Sequence, residues 1–298
     1  MLQDVIIIGG NFAGISAAMQ LARAQRHVTL IDSGEPRNRF ARQSHGFLGQ
    51  DGVSPKQIQQ DAQRQLLKYS TVTFVQGKAI NAKKSAEMFS VTLDNNQEIS
   101  AKKLILATGL KDEIPTIPGL RERWGTTVAH CPYCHGYEFR NRPLAVIATG
   151  PHSIHQAGLL ADWGPTTYFT QGEFAPDAEQ ASFLEKRGVR IEASRVVEVL
   201  GRAPNITSLY LEDGRTVRIE AVFVAPKSQI VSPIADQLGC ALVEAPMGQI
   251  LQTDDMKQTS VAGVFTAGDI VNPMQNATFA SASGVMAGVG AHFALVHE

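Results

Sequence analysis

The chain has 298 residues, enough for one large or two medium domains, and 44% of them are apolar against 18% charged. A formal net charge of −1, with no basic tail and no long charge run, argues against a nucleic-acid partner and against a polybasic membrane patch. Three cysteines, an odd number, argue against a secreted disulfide framework. The start MLQDVIIIGG lacks the charged region of a signal peptide, and no stretch reads as approaching the ~20 apolar residues of a membrane span. The expectation is a cytoplasmic α/β protein with no membrane partner.

Residues 4–8 (DVIII) are short, apolar and β-branched, the pattern of a buried parallel strand. Gly9-Gly10-Asn11-Phe12-Ala13-Gly14 follows, then a helical stretch to Gln25, a strand at 28–31 and Asp32 at its end. This βαβ unit nearly matches G-x-G-x-x-G, with Asn11 in place of the middle glycine. Gly9 suits the tight turn, Gly14 lets the helix pack close, and Asn11 tolerates a left-handed turn. Amide groups at the helix start can hold a pyrophosphate. Asp32, 18 residues after Gly14, is placed to accept hydrogen bonds from a ribose.

Residues 89–93, a turn at Asn95-Asn96 and a buried strand through 104–109 read as a hairpin leading back into the sheet. Proline-bearing segments near 115–118 mark a crossing to a second domain. There His130-Cys131-Pro132-Tyr133-Cys134-His135 places two of the three cysteines two residues apart. Such spacing reads as a redox dithiol or as half of a metal site. No second C-x-x-C or H-x₃₋₅-H completes a zinc cluster, so the redox reading is favoured. Pro132 suits the first position of a helix, and a helix start with a nearby imidazolium would favour a thiolate.

A second, worn copy of the first unit begins at residue 143. A strand at 143–147 leads to Ala148-Thr149-Gly150-Pro151-His152-Ser153, a helix at 154–163 and a strand at 166–170. Only the middle glycine survives, Gln171 stands where the first copy has Asp32, and no arginine follows the strand to clamp a 2′-phosphate. Residues 208–212, a turn at Asp213-Gly214 and 221–226 repeat the hairpin. A crossing near 226–233 returns the chain to the first domain, where Val264-Phe265-Thr266-Ala267-Gly268-Asp269 and a small-residue helix close the sequence. Cys240 reads as a small core residue.

The turn at 9–14, Leu106-Ala107-Thr108-Gly109, the CPYC segment and the 264–269 segment together resemble low-molecular-weight thioredoxin reductase, in order and spacing along nearly the whole chain. The string Cys134-His135-Gly136-Tyr137-Glu138, with His135 where the main family has aspartate, is similar to a divergent branch that includes gliotoxin-oxidase-like dithiol oxidases. The resemblance implies two Rossmann-like, three-layer ββα domains, the second inserted in the first: an FAD-binding domain of residues 1–112 and 233–298, and an NAD(P)-type domain of 113–232 carrying the dithiol. It implies that Gly9, Asn11, Phe12, Ala13, Gly14, Asp32, Asn38, His45, Thr108, Gly109, Gly268 and Asp269 touch FAD, with Asn276 and Ala277 near the flavin ring. Gly150, Pro151, His152 and Ser153 would form a second nucleotide site, for NAD(P)H or a second FAD.

The expected activity is a flavin disulfide oxidoreductase in which Cys131 and Cys134 form a redox disulfide. Cys131 is assigned to substrate, Cys134 to the flavin, and His135 to proton transfer. The substrate is a protein or small-molecule disulfide or dithiol, the electron donor is a pyridine nucleotide or a non-pyridine carrier, and the family's habit is a homodimer. Two alternatives stand beside it: a dithiol oxidase passing electrons to oxygen, and a non-catalytic flavoprotein whose second site has decayed.

Overall fold

Strand Gln3–Ile8 divides its apolar residues between two faces, as a period of two requires. Val5 and Ile7 cluster with Ala13, Ala17 and Leu21 of helix Phe12–Arg23 and with Ala287 of helix Ala277–Val296. Ile6 and Ile8 cluster with Phe89, Val91 and Leu93 from the other side. In the computed structural model, which describes residues 3–86 and 88–298, these two faces are the inner layers of a three-layer unit.

The parallel strands of this unit lie in the spatial order Val72–Gln76, Val28–Asp32, Gln3–Ile8, Glu98–Leu106. Strand Glu98–Leu106 serves two partners along its length. Its later residues pair in parallel with Val264–Thr266, while its earlier ones pair antiparallel with Met88–Leu93, which in turn pairs with Ala79–Ser85. The antiparallel ribbon so formed supplies the third layer.

The second unit repeats the plan. Its parallel strands run Arg190–Glu192, Thr166–Phe169, Leu144–Ile147, Ala221–Phe223, Val128–Ala129. Leu144 and Val146 cluster with Ile154, Ala157 and Leu160 of helix His152–Leu160. Ala145 and Ile147 cluster with Val199, Leu209 and Leu211 of a ribbon made by Val196–Leu200, Ser208–Leu211 and Thr216–Arg218. The α/β, doubly repeated architecture is the one the sequence implied.

One unit comprises the described residues up to Arg39, Lys56–Lys111 and Ser228–Glu298; the other comprises Phe40–Pro55 and Asp112–Lys227. The excursion of 40–55 into the second unit has no signature in the sequence.

The C-terminal helix corrects one sequence expectation. Ala277–Val296 is 20 residues long and, with a mean hydropathy of 1.5 over its most apolar window, is long and apolar enough to cross a membrane by length and composition. It escaped notice because its apolar character comes largely from alanine, glycine and valine. Small residues let it lie close along Phe12–Arg23. A Cβ on Gly284 would sit 2.1 Å from the Ala13 carbonyl oxygen, and one on Gly288 2.7 Å from that of Ala17. The helix is thus packed into the core of the first unit on that side.

Candidate active site

The first glycine turn lies at the carboxyl end of Gln3–Ile8, where open parallel sheets bind ligands. Gly9 has φ +113° and its missing Cβ makes room for the Ala107 carbonyl. Asn11 is not left-handed, contrary to the sequence expectation: at φ −102° it is extended and is the residue before the helix, so the special backbone belongs to Gly9. The Gly10 N–H donates to Asp32 Oδ1 at 3.2 Å, which draws the carboxylate up to the turn. Gln59, unforeseen in the sequence, donates from Nε2 to the Gly10 carbonyl at 2.8 Å and reaches Asp32 Oδ2 at 3.4 Å. Asn11 Nδ2 donates to Asn38 Oδ1 at 3.2 Å.

Two buried oxygens at this edge, Asn11 Oδ1 and Thr108 Oγ1, have no hydrogen-bond partner. Buried polar atoms are rarely left so, and a nucleotide across the turn would satisfy them. The residues present therefore fit the adenine-nucleotide part of FAD. Phe12 and Ala13 are buried beneath the turn; Gly268, at φ +88°, leaves 3.1 Å between its Cβ position and Ala13 Cβ. Gly109 follows Thr108 at φ +66°. Asp269 pairs with Arg37 at 2.8 Å, and Arg37 also donates to Gln275. Asn276 caps the C-terminal helix, accepting from Phe279 N–H at 2.8 Å, with Ala277 as the first helical residue.

His45 belongs to the second unit, with Nε2 3.6 Å from Glu138 Oε1, three residues beyond His135.

The dithiol segment leaves the carboxyl end of Val128–Ala129. Cys131 and Cys134 are disulfide-bonded, with Cα atoms 5.3 Å apart. The helix after Cys131 is short, only Pro132–His135, so little macrodipole is available. A single amide does the corresponding work: Cys134 N–H donates to Cys131 Sγ at 3.2 Å. Helix His152–Leu160 braces the segment, with Gln156 Nε2 donating to the His130 carbonyl at 2.6 Å. Trp163 stands edge-on to Tyr133 at 5.6 Å and fills the space a Cβ on Gly136 would need. Tyr133, between the cysteines, is 71% exposed. Burial lowers the His135 pKa from its ordinary value; the Glu138 carboxylate opposes this and His45 adds to it. His135 Nδ1 is buried and unpartnered. Cys240 is buried and free, its Sγ 3.6 Å from Thr259 Oγ1.

At the second turn several polar groups bond within the unit. Thr149 N–H donates to Ser153 Oγ at 3.1 Å, Thr149 Oγ1 to the Ala225 carbonyl at 2.6 Å, and Ser153 N–H to the Gly150 carbonyl at 3.1 Å. Pro151 has no N–H to give, and His152 is exposed. Gln171 accepts from Val196 N–H at 2.8 Å and donates back to its carbonyl at 3.3 Å. Arg195, not foreseen, passes its stem 3.7 Å from the Cβ position of Gly172.

A nucleotide turn on one three-layer unit and a disulfide at the strand ends of another define a dinucleotide-dependent thiol–disulfide oxidoreductase. The family model "Pyridine nucleotide-disulphide oxidoreductase" matches residues 3–284, and the chain belongs to that family. It is 32% identical to "Thioredoxin reductase tcpT" of Claviceps purpurea, over 96% of this chain and 92% of that one. Among solved structures it resembles an oxidoreductase from Agrobacterium tumefaciens at 47% identity and TM-score 0.95, covering 100% of this chain and 99% of that one. It also resembles HlmI, at 32% identity and TM-score 0.93, covering 99% and 93%. The chain is an enzyme of the thioredoxin-reductase-like flavin disulfide oxidoreductase kind, and FAD is the cofactor that membership implies.

Proposed function

We propose that this enzyme exchanges two electrons between the Cys131–Cys134 pair and a protein or small-molecule dithiol or disulfide, with FAD at the first turn and no pyridine nucleotide at the second. The observation that carries the second half is the internal use of the donors at Thr149 and Ser153, together with Gln171 bound to Val196. A pyrophosphate needs free amides at such a turn. FAD bound at the first turn supplies two-electron redox chemistry. Cys131 takes the substrate sulfur, Cys134 is the flavin-side thiol, and His135, kept neutral by burial, moves the protons. With no pyridine nucleotide, net flow runs from a dithiol through the protein to oxygen or to another carrier.

Aerobic turnover of a small dithiol by the FAD-loaded enzyme tests this reading. Wild type should consume the dithiol, and Cys131→Ser and Cys134→Ser should each abolish consumption while retaining FAD. Activity surviving in either serine variant would sink it. Arg195 beside Gly172 favours a second reading, a reductase fed by NADPH or NADH; stimulation of disulfide reduction by either nucleotide would select it. A homodimer and a cytoplasmic setting complete the proposal. The dimer is supported by the exposed apolar residues Met286, Val289, Phe293 and Val296 on the C-terminal helix.

A further inference from the structure

The segment 40–55 closes on itself within the second unit. Ser44 N–H donates to the Val53 carbonyl and Gly52 N–H to the Ser44 carbonyl, both at 2.8 Å. This closure brings Asp51 onto His45: Asp51 Oδ1 accepts from Gly46 N–H at 2.9 Å and lies 3.5 Å from His45 Nδ1. The other ring nitrogen, Nε2, lies 3.6 Å from Glu138 Oε1. Glu138 raises and His45 lowers the proton affinity of His135, beneath the larger effect of burial. Asp51 is 72% exposed, His45 21% and Glu138 37%, while His135 carries a buried, unpartnered Nδ1. His130 flanks the other cysteine with its ring stacked on Trp124, centroids 6.2 Å apart.

We propose that His45 is a positioning residue which, held by Asp51, fixes the Glu138 carboxylate near the dithiol segment and through it sets the protonation of His135. The inference rests on the dithiol-exchange reading above. In that exchange, neutral His135 takes the proton of one substrate thiol, and the thiolate attacks Cys131 Sγ. The Cys131–Cys134 bond breaks, Cys134 leaves, and His135 returns the proton to it. The second substrate thiol gives up its proton, attacks the mixed disulfide and releases Cys131, which is protonated in turn. The substrate is oxidised by two electrons and the protein disulfide is reduced by two.

The test is an anaerobic rapid-quench experiment on FAD-loaded enzyme. Oxidised protein is mixed with dithiothreitol across the titration range of histidine, quenched with an alkylating agent, and its new thiols are counted by mass. Burial places the acid limb of the wild-type rate below the ordinary histidine range. His45→Gln should move that limb to higher pH, because the lowering influence of His45 on His135 is lost. Glu138→Gln should move it to lower pH, because the carboxylate is lost. Each should slow exchange about tenfold near neutrality, at the low end of general acid–base effects, and Glu138→Asp should restore part of the rate. A merely structural role would reduce the reacting fraction without moving the limb in opposite senses. Limbs that coincide with wild type in both variants overturn the role of His45 and Glu138 alone. A wild-type disulfide that dithiothreitol does not reduce overturns that role and the exchange reading together.

Discussion

His135 carries the pH dependence of the account. Its folded pKa is lowered by burial, so between the ordinary value of 6.5 and the lowered one the unfolded chain binds a proton that the folded chain refuses. The stabilisation linked to His135 is therefore present above 6.5 and is lost as pH falls toward the folded pKa. The same shift keeps the imidazole a proton acceptor through neutrality, so dithiol exchange should fall only on the acid side of 6.5. His135→Asn should abolish that limb and slow exchange about a hundredfold; a rate–pH profile checks both, and an unchanged limb would remove His135 from the chemistry. At the first turn, Gly10→Ala places a Cβ 2.6 Å from Asp32 Cβ. The variant should lose FAD on purification, read as lost flavin absorbance with the fold retained by circular dichroism. The cysteines, the glycine turn and Asp32 were legible because chemistry fixes their types at short spacings. Gln59, Gln156 and Arg195 were not, since each reaches its place from another element through an ordinary polar side chain.

At the level of elements, close approach of two helices sets the first unit. Gly284→Ala would drive a Cβ to 2.1 Å from the Ala13 carbonyl, a backbone atom that cannot swing away. The expected cost is about 1–3 kcal/mol of overpacking, measurable as a lower denaturant midpoint. The outer side of the same helix supports the proposed dimer: Val289→Glu with Phe293→Glu should give a monomer by sedimentation, and a wild type already monomeric would refute that surface. The strands and hairpins were legible where a period of two met Asn-Asn or Asp-Gly turns, as at 89–106 and 208–223. The excursion at 40–55 was not. It holds no regular hydrophobic period, and its closure rests on backbone hydrogen bonds between Ser44, Gly52 and Val53. The pairing of His45 with Glu138 lies within that stretch and has no sequence signal of its own.

For the whole molecule, one architectural plan occurs twice, and the two turns use their polar groups differently. The first turn leaves Asn11 Oδ1 and Thr108 Oγ1 without partners; at the second, Thr149, Ser153 and Gln171 bond within their own unit, while Gln156 Oε1 on the following helix has no partner. The duplication was legible because parallel strands and glycine turns leave a pattern in sequence. The different fates of the turns were only partly so, because Ser153 and Gln171 show their commitments only when folded. The central claim is that electrons enter through the dithiol and not through a pyridine nucleotide. Anaerobic titration of the FAD-loaded enzyme, following flavin absorbance with NADPH, then NADH, then a small dithiol, tests it most directly. The account predicts bleaching by the dithiol and none by either nucleotide; bleaching by NADPH or NADH at stoichiometric amounts would contradict it.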